Sequence, residues 1–166
     1  MAYIAKSAII HEGAIVGKNV NIKDFAVIFP GARIGDNVEI GIGSIIKNNV
    51  TIGKNTFVGD YCILGEVTLN YYLDKQDYTS LETKIGNDSI IRSHSIIYED
   101  VIIGEEFQSG HRITIREATR IGKKCSVGTM CDIQGKVEIG NYVRLHSNVF
   151  VGQLATIENF VWIYPS

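Results

Sequence analysis

The sequence predicts an all-β fold, a β-solenoid, and three observations carry that expectation. Aliphatic residues recur at every sixth position almost from end to end. The residue two places before each is small or β-branched, and glycine often follows the aliphatic. The composition agrees, because Ile, Val and Gly abound in the 166 residues while Pro (2), Met (2) and Trp (1) are scarce. That balance favours short strands and tight turns over helices.

The first run of the repeat is Ile4, Ile10, Val16, Ile22, Ile28, Ile34, Ile40, Ile46, Ile52, Val58 and Leu64. Small or β-branched partners such as Ala14, Val20, Ala26, Ala32, Val38, Ser44, Val50, Thr56 and Cys62 precede these by two. After a slip the run restarts at Ile85, then Ile91, Ile97, Ile103, Ser109, Ile115, Ile121, Val127, Ile133, Ile139, Leu145, Val151, Ile157 and Ile163. Of these 25 positions, 24 are Ile, Val or Leu; Ser109, in "FQSGHRITIRE", is the exception. Neither a helical period of 3.6 nor an alternation of 2 produces such a series. A unit of one short strand and one turn does, since side chains two apart share a face and point inward together. Glycines after the aliphatic (Gly17, Gly35, Gly41, Gly53, Gly59, Gly65) are expected to supply positive φ at the turns. No single unit buries its inner face, so stacked coils form the core.

Leu64 and Ile85 lie 21 residues apart, not a multiple of six. The sequence therefore predicts a loop over residues 70–82, extruded from the solenoid and carrying Tyr71, Tyr72 and Tyr78. Long loops on rigid scaffolds often line binding sites, which makes this one a candidate lid or substrate wall. The last stretch, "NFVWIYPS", falls in mid-coil, where a solenoid needs cover from a cap or a partner.

Residues 1–166 are of single-domain length. The net charge is −2, the pI about 6.1, and no basic tract supports nucleic-acid binding. No apolar run approaches a membrane span of about 20 residues, and "MAYIAKSAIIHEG" lacks the form of a signal peptide. Three cysteines without paired spacing point to a reducing, cytoplasmic setting. Cys62, Cys125 and Cys131 each hold the small inward position, where a thiol acts as an apolar filler. "GIGS" at 41–44 falls within the repeat and lacks the strand-then-helix context of a dinucleotide loop. The outward face positions show no continuous aromatic stripe.

The pattern resembles the hexapeptide-repeat family of left-handed β-helices over nearly the whole chain. The resemblance implies a three-sided prism with 18 residues per coil, about eight coils and roughly 40 Å tall at strand spacing. Ile91, Ser109, Val127, Leu145 and Ile163 then form one column. His94, His111 and His146 fall on the turns of that single edge, while His11 belongs to the earlier register and its column is open. Placing Ser109-Gly110 where an aliphatic belongs gives up burial on the order of 1.5–3 kcal/mol and leaves a narrow backbone beside His111.

In that family the common activity is acyl transfer from acyl-CoA, by trimers with sites between neighbouring prisms. "SGHRI" resembles the histidine turn of its sugar N- and O-acetyltransferases, which implies His111 as general base on an amine or hydroxyl. The resemblance further implies a backbone amide one coil on, at Thr129, for the acetyl carbonyl. It places the pantetheine arm of acetyl-CoA past Gly128, His146 and Ser147, and an acceptor near His94, Tyr71 and Tyr72. The acceptor class it implies is a sugar or nucleotide-linked sugar of surface-polysaccharide biosynthesis, with no metal and no covalent enzyme intermediate. Two alternatives stand beside it. One is a γ-type carbonic anhydrase with zinc between subunits, whose five-residue histidine pair is missing here. The other is a non-catalytic scaffold that binds partners on its flat sides.

Overall fold

The computed structural model describes residues 2–165, which wind into a three-sided prism of 25 short parallel strands. The three faces hold nine, eight and eight strands, and each strand pairs with those one coil below and above. The first face runs from Tyr3–Ile4 to Trp162–Ile163, the second from Ile9–Ile10 to Phe150–Val151, the third from Ile15–Val16 to Thr156–Ile157. Pairing is offset by 18 residues, as in Asn21↔Glu39 and Ile22↔Ile40. Every strand contains one position of the six-residue series. From Ile22 to Ile157 those side chains are buried, with their small partners beside them. At the two ends of the prism Ile4 and Ile163 stay partly open.

The turns work differently from the sequence expectation. Positive φ falls three residues after the inward aliphatic, at Asn19, Phe25, Asn37, Tyr61, His94, Arg112 and their counterparts, mostly non-glycine. The N–H of most such residues is held by a carbonyl of the preceding coil: Asn55 donates to Asp36 O at 2.9 Å and Tyr61 to Ile42 O at 2.8 Å. A non-glycine residue in this region costs about 1–2 kcal/mol, which these bonds offset. The glycines that directly follow the aliphatic have another task. A Cβ on Gly35 would lie 2.7 Å from Lys54 N, and one on Gly59 2.6 Å from Ser93 N. They allow close approach of coil to coil, and of the six expected to supply positive φ only Gly65, where the chain leaves the prism, has it.

Phe57 pairs with Ile90 and Val58 with Ile91, so one coil spans 33 residues instead of 18. The additional length leaves at residue 67, three residues before the expected boundary, because the strand Ile63–Glu66 runs on past Leu64. It is not wholly a loop, since Leu69–Leu73 form a short helix. Tyr71 packs edge-on against both Tyr72 and Tyr78, with ring centroids 5.2 Å apart in each pair. Two bonds tie the segment down: Leu81 N–H to the buried Glu99 Oε2 (3.2 Å), and Asn49 Nδ2 to Ser80 O (3.1 Å). Burial, and then the Glu99 carboxylate, push the Tyr78 hydroxyl well above the usual tyrosine range.

Ser109 does not leave the core short of apolar volume. Phe107, two residues before it, is completely buried at a position that elsewhere is mostly Ala, Val, Ser, Thr or Cys. Large and small have changed places within one repeat, so the burial that the sequence counts as lost at 109 is regained at 107. This exchange generates a test. Phe107→Ala alone should cost about 3–5 kcal/mol, and Ser109→Ile alone about 1–3 kcal/mol by overpacking against the ring. The double variant restores the Ala-x-Ile pattern of Ala26–Ile28, so its loss in urea titration should fall well below the sum. Strict additivity would show that the two side chains do not share the space.

Candidate active site

The register settles which residues meet. Ile91, Ser109, Val127, Leu145 and Ile163 are neighbours on the first face, so His94, His111 and His146 stand on the corner between the first and second faces. His11 follows Ile10 and lies on the next corner, packed against Phe29 at 5.1 Å. The extruded segment also leaves from that next corner. Within one chain, therefore, Tyr71 and Tyr72 do not share a cavity with the three histidines. They line a pocket with Phe29, Lys47 and Tyr78 instead.

The three histidines differ in what holds them. His94 occupies the left-handed turn position, φ 63°, and its ring stacks on Tyr61 one coil below (5.5 Å, 16° between planes). His146 is half-buried and stacked on Tyr164 at 4.3 Å, while its carbonyl accepts the Cys131 thiol at 2.9 Å. His111 is exposed, and among the described residues its imidazole takes part in no hydrogen bond or ring stack.

Its freedom follows from a second ladder on this corner. The residue two past the inward position caps, with its side chain, the amide of its equivalent one coil below. Asp60 caps Ile42 N (2.8 Å), Ser93 caps Asp60 N (3.1 Å), Thr129 caps His111 N (3.2 Å) and Ser147 caps Thr129 N (3.1 Å). His111 stands in this series and caps nothing, so the rung over Ser93 N is missing. The Thr129 amide assigned to an acetyl carbonyl is thus already bonded, and a ligand carbonyl reaching it displaces the Ser147 hydroxyl.

Beside His111 a groove of about 220 Å³ runs along the first face, lined by Gln108, Ser109, Gly110, Gly128, Thr129 and Ser147 among others. Arg92 and Arg144 also line it, and Arg144 lies over the Trp162 ring at 5.6 Å. The groove unites Gly128, Thr129, His146 and Ser147 as expected from the sequence, while His111 sits on the turn adjoining it rather than in its wall. Two features escaped the sequence reading. Arg92 was not singled out, although it directly follows an inward Ile of the histidine column. The second face, which flanks the same corner, presents Ile9, Val27, Ile45, Ile63 and Ile96 outward in unbroken register. That stripe is aliphatic, not aromatic, and ends at Thr114 and Asp132.

No group of three His, Cys, Asp or Glu side chains able to hold a metal ion occurs among the described residues. No helix among them is long and apolar enough to cross a membrane. The three cysteines are buried and unpaired, and burial raises all three thiols above the ordinary cysteine value. A raised value means less thiolate at neutral pH, so thiol reagents should modify the folded protein more than about a hundredfold more slowly than the urea-unfolded chain. Rapid labelling of any one cysteine in the native state would contradict this burial.

The family description "Bacterial transferase hexapeptide (six repeats)" matches residues 31–66. No curated protein matches the chain. Among solved structures, it is similar to LpxA from Acinetobacter baumannii, with a TM-score of 0.84 and 22% identity over 97% of this chain and 66% of that one. LpxA from Bacteroides fragilis, described as a UDP-N-acetylglucosamine acyltransferase, gives 0.83 and 23% over 98% and 67%. A UDP-N-acetylglucosamine acyltransferase from Campylobacter jejuni gives 0.67 and 23% over 91% and 68%. The chain spans about two thirds of the length of these structures. The repeat, the 18-residue coil and this likeness together show the left-handed β-helix fold, and the hexapeptide description fits its six-residue repeat over residues 31–66.

Proposed function

We propose that this chain is an acyltransferase that moves an acetyl group from acetyl-CoA to an amine or hydroxyl of a sugar or nucleotide-linked sugar. In this reading it acts in the cytoplasm as a homotrimer. The observation that carries it is the unengaged imidazole of His111 beside a narrow groove floored by Gly110 and Gly128. An imidazole is the side chain suited to take a proton near neutral pH, and every other member of its ladder from Asp60 to Ser147 is occupied in capping an amide. The descriptions of the similar structures as UDP-N-acetylglucosamine acyltransferases support the acceptor class.

The chemistry follows from these parts. The glycines keep the groove open to a slender pantetheine arm, which runs past His146 and Ser147. His111 removes a proton from the attacking acceptor atom. The Thr129 N–H, released from Ser147, donates to the thioester oxygen as charge develops there. The proton held by His111 then passes to the departing thiolate, and no acyl group is attached to the protein.

The trimer reading rests on the second face. Ile9 is 52% exposed at one end of a stripe that continues through half-buried Val27, Ile45, Ile63 and Ile96. A second copy seated there buries the stripe and also covers the adjoining histidine corner. It would bring its own extruded segment, with Tyr71 and Tyr72, within reach of that corner, which one chain alone does not do. His94 then faces the acceptor side.

Three outcomes are expected. Thiol release from acetyl-CoA should depend on an amino- or hydroxy-sugar acceptor; the same acyl group on a carrier protein is the competing donor, and turnover only with that one overturns CoA. His111→Ala and His111→Asn should lower kcat by about 10²–10⁴ with the assembly unchanged, and wild-type rates would reject its role. Ile45→Glu with Ile63→Glu should convert a species three times the 18.3 kDa chain into a monomer in sedimentation. A wild-type protein that sediments as a monomer would reject the trimer.

A further inference from the structure

The extruded segment and the prism enclose a second cavity, of about 640 Å³, on the corner between the second and third faces. It lies one corner away from the histidines and shares no residue with the groove beside them. Carboxylates line both of its walls: Glu99, Asp100 and Glu117 from the prism, Asp74 and Asp77 from the segment.

Most cations of this corner are already engaged. Arg116 grips Glu117 through two bonds of 3.0 Å, Arg120 holds Asp100 at 2.6 Å, and Lys47 holds the neighbouring Glu66 at 2.8 Å. Glu99 is buried more deeply than any of these acids, at 1% exposure, yet among the described residues it belongs to no ion pair. Its Oε2 accepts the Leu81 N–H, and no donor among the described residues reaches Oε1. The Tyr78 hydroxyl, buried in the same lining, likewise has no hydrogen-bond partner among them. A carboxylate taken out of water is costly unless a cation stands beside it. One backbone N–H does not supply that charge. Lys136, the lining cation outside these pairs, is exposed and reaches no carboxylate. Asp74, Asp77 and Glu99 therefore face one ammonium with three carboxylates.

This excess is not arranged for a bare metal ion, because no three such side chains converge among the described residues. It suits positive charge spread along a flexible stem. An ammonium group offers three N–H donors to carboxylate and hydroxyl oxygens. Leu69 and Leu81, both exposed and both in the lining, offer the stem's methylenes an apolar surface.

We infer that this cavity binds a short aliphatic polyamine, one ammonium pairing with Glu99 on the prism and another with Asp74 or Asp77 on the segment. The ligand bridges the two walls and fastens the segment to the coil beneath it. Tyr71 and Tyr72 ride on that segment, so occupancy of the cavity sets where they stand. Binding is non-covalent and does not depend on the chemistry at the histidine corner.

The test is calorimetric titration of the full chain with spermidine and putrescine, with 1,4-butanediol as the uncharged counterpart of putrescine. Spermidine should bind at one site per chain and more tightly than putrescine, and the diol should not bind. Glu99→Gln keeps the side-chain shape and an oxygen for the Leu81 N–H. It should weaken spermidine about 30-fold or more, whereas Asp77→Asn, on the exposed segment, should weaken it about two- to fivefold. In hydrogen–deuterium exchange, spermidine should slow the Leu81 amide in wild type and not in Glu99→Gln. Without ligand, Glu99→Gln should unfold at or above the wild-type temperature, because it removes a buried charge that lacks a counter-ion. A lower temperature would show that the carboxylate is already compensated within the chain and would overturn the premise. Affinity unaltered by Glu99→Gln, equal binding by the diol, equal competition by magnesium at matched ionic strength, or no binding of either amine overturns the site and leaves the acyltransfer reading untouched.

Discussion

Everything in this molecule depends on a backbone constraint, the parallel hydrogen bonding of each strand to the one a coil away. A two-residue strand has too little surface to be stable alone. Stacked in register, the twenty-five strands, most of them of two residues, share one core and satisfy one another's amides and carbonyls. The constraint explains the period, since only a fixed coil length brings inward residue over inward residue. It also explains why the corners accept Phe, Tyr, His and Arg in the left-handed region. The bond each makes to the coil below is part of the same ladder, so the local cost is met by the array. Most glycines stand instead where two coils touch, and Gly13, Gly31 and Gly43 are the few that take the left-handed place themselves.

Because the ladder is so regular, departures from it are informative. Three occur at one step. The apolar volume moves from 109 to 107, the Arg92 N–H turns from a carbonyl to a hydroxyl, and His111 leaves the rung over Ser93 open. Only the first concerns stability, and it is compensated within the same repeat. The other two alter hydrogen bonding where a groove meets an unengaged imidazole. A fold that repeats itself places function where the repetition lapses, because rigid neighbours above and below hold the altered step in place.

Much of this was legible in the sequence, and the reasons for the rest are physical. The inward column and the buried cysteines were readable because period six survives any outward substitution. The three faces and the shared corner of His94, His111 and His146 followed from the 18-residue coil that the family resemblance implied. The role of Phe107 was hidden because attention to the aliphatic column makes Ser109 look like a loss; reading both inward columns together reveals the exchange. The glycines were misassigned because positive φ is their commoner use, whereas here close approach decides. The helix Leu69–Leu73 has neither a side-chain cap nor a charge bias at its ends, so no local signal announced it. The diverted Arg92 N–H depends on where a hydroxyl points in three dimensions, which spacing does not encode. The stripe on the second face alternates with inward residues of the same type, and so reads simply as paired aliphatics.

The coil that spans 33 residues has a wider meaning. Its strands meet their neighbours with the pairing of the 18-residue coils, and the positions on either side keep their burial. The closure entropy of such an excursion grows only with the logarithm of its length. The corner where it leaves therefore separates two things that most folds bind together, the invention of new surface and the upkeep of the core. Chain length and sequence at that port are free to drift or lengthen so long as the segment keeps its bonds to the buried Glu99 and to Asn49, its only ties to the prism described above.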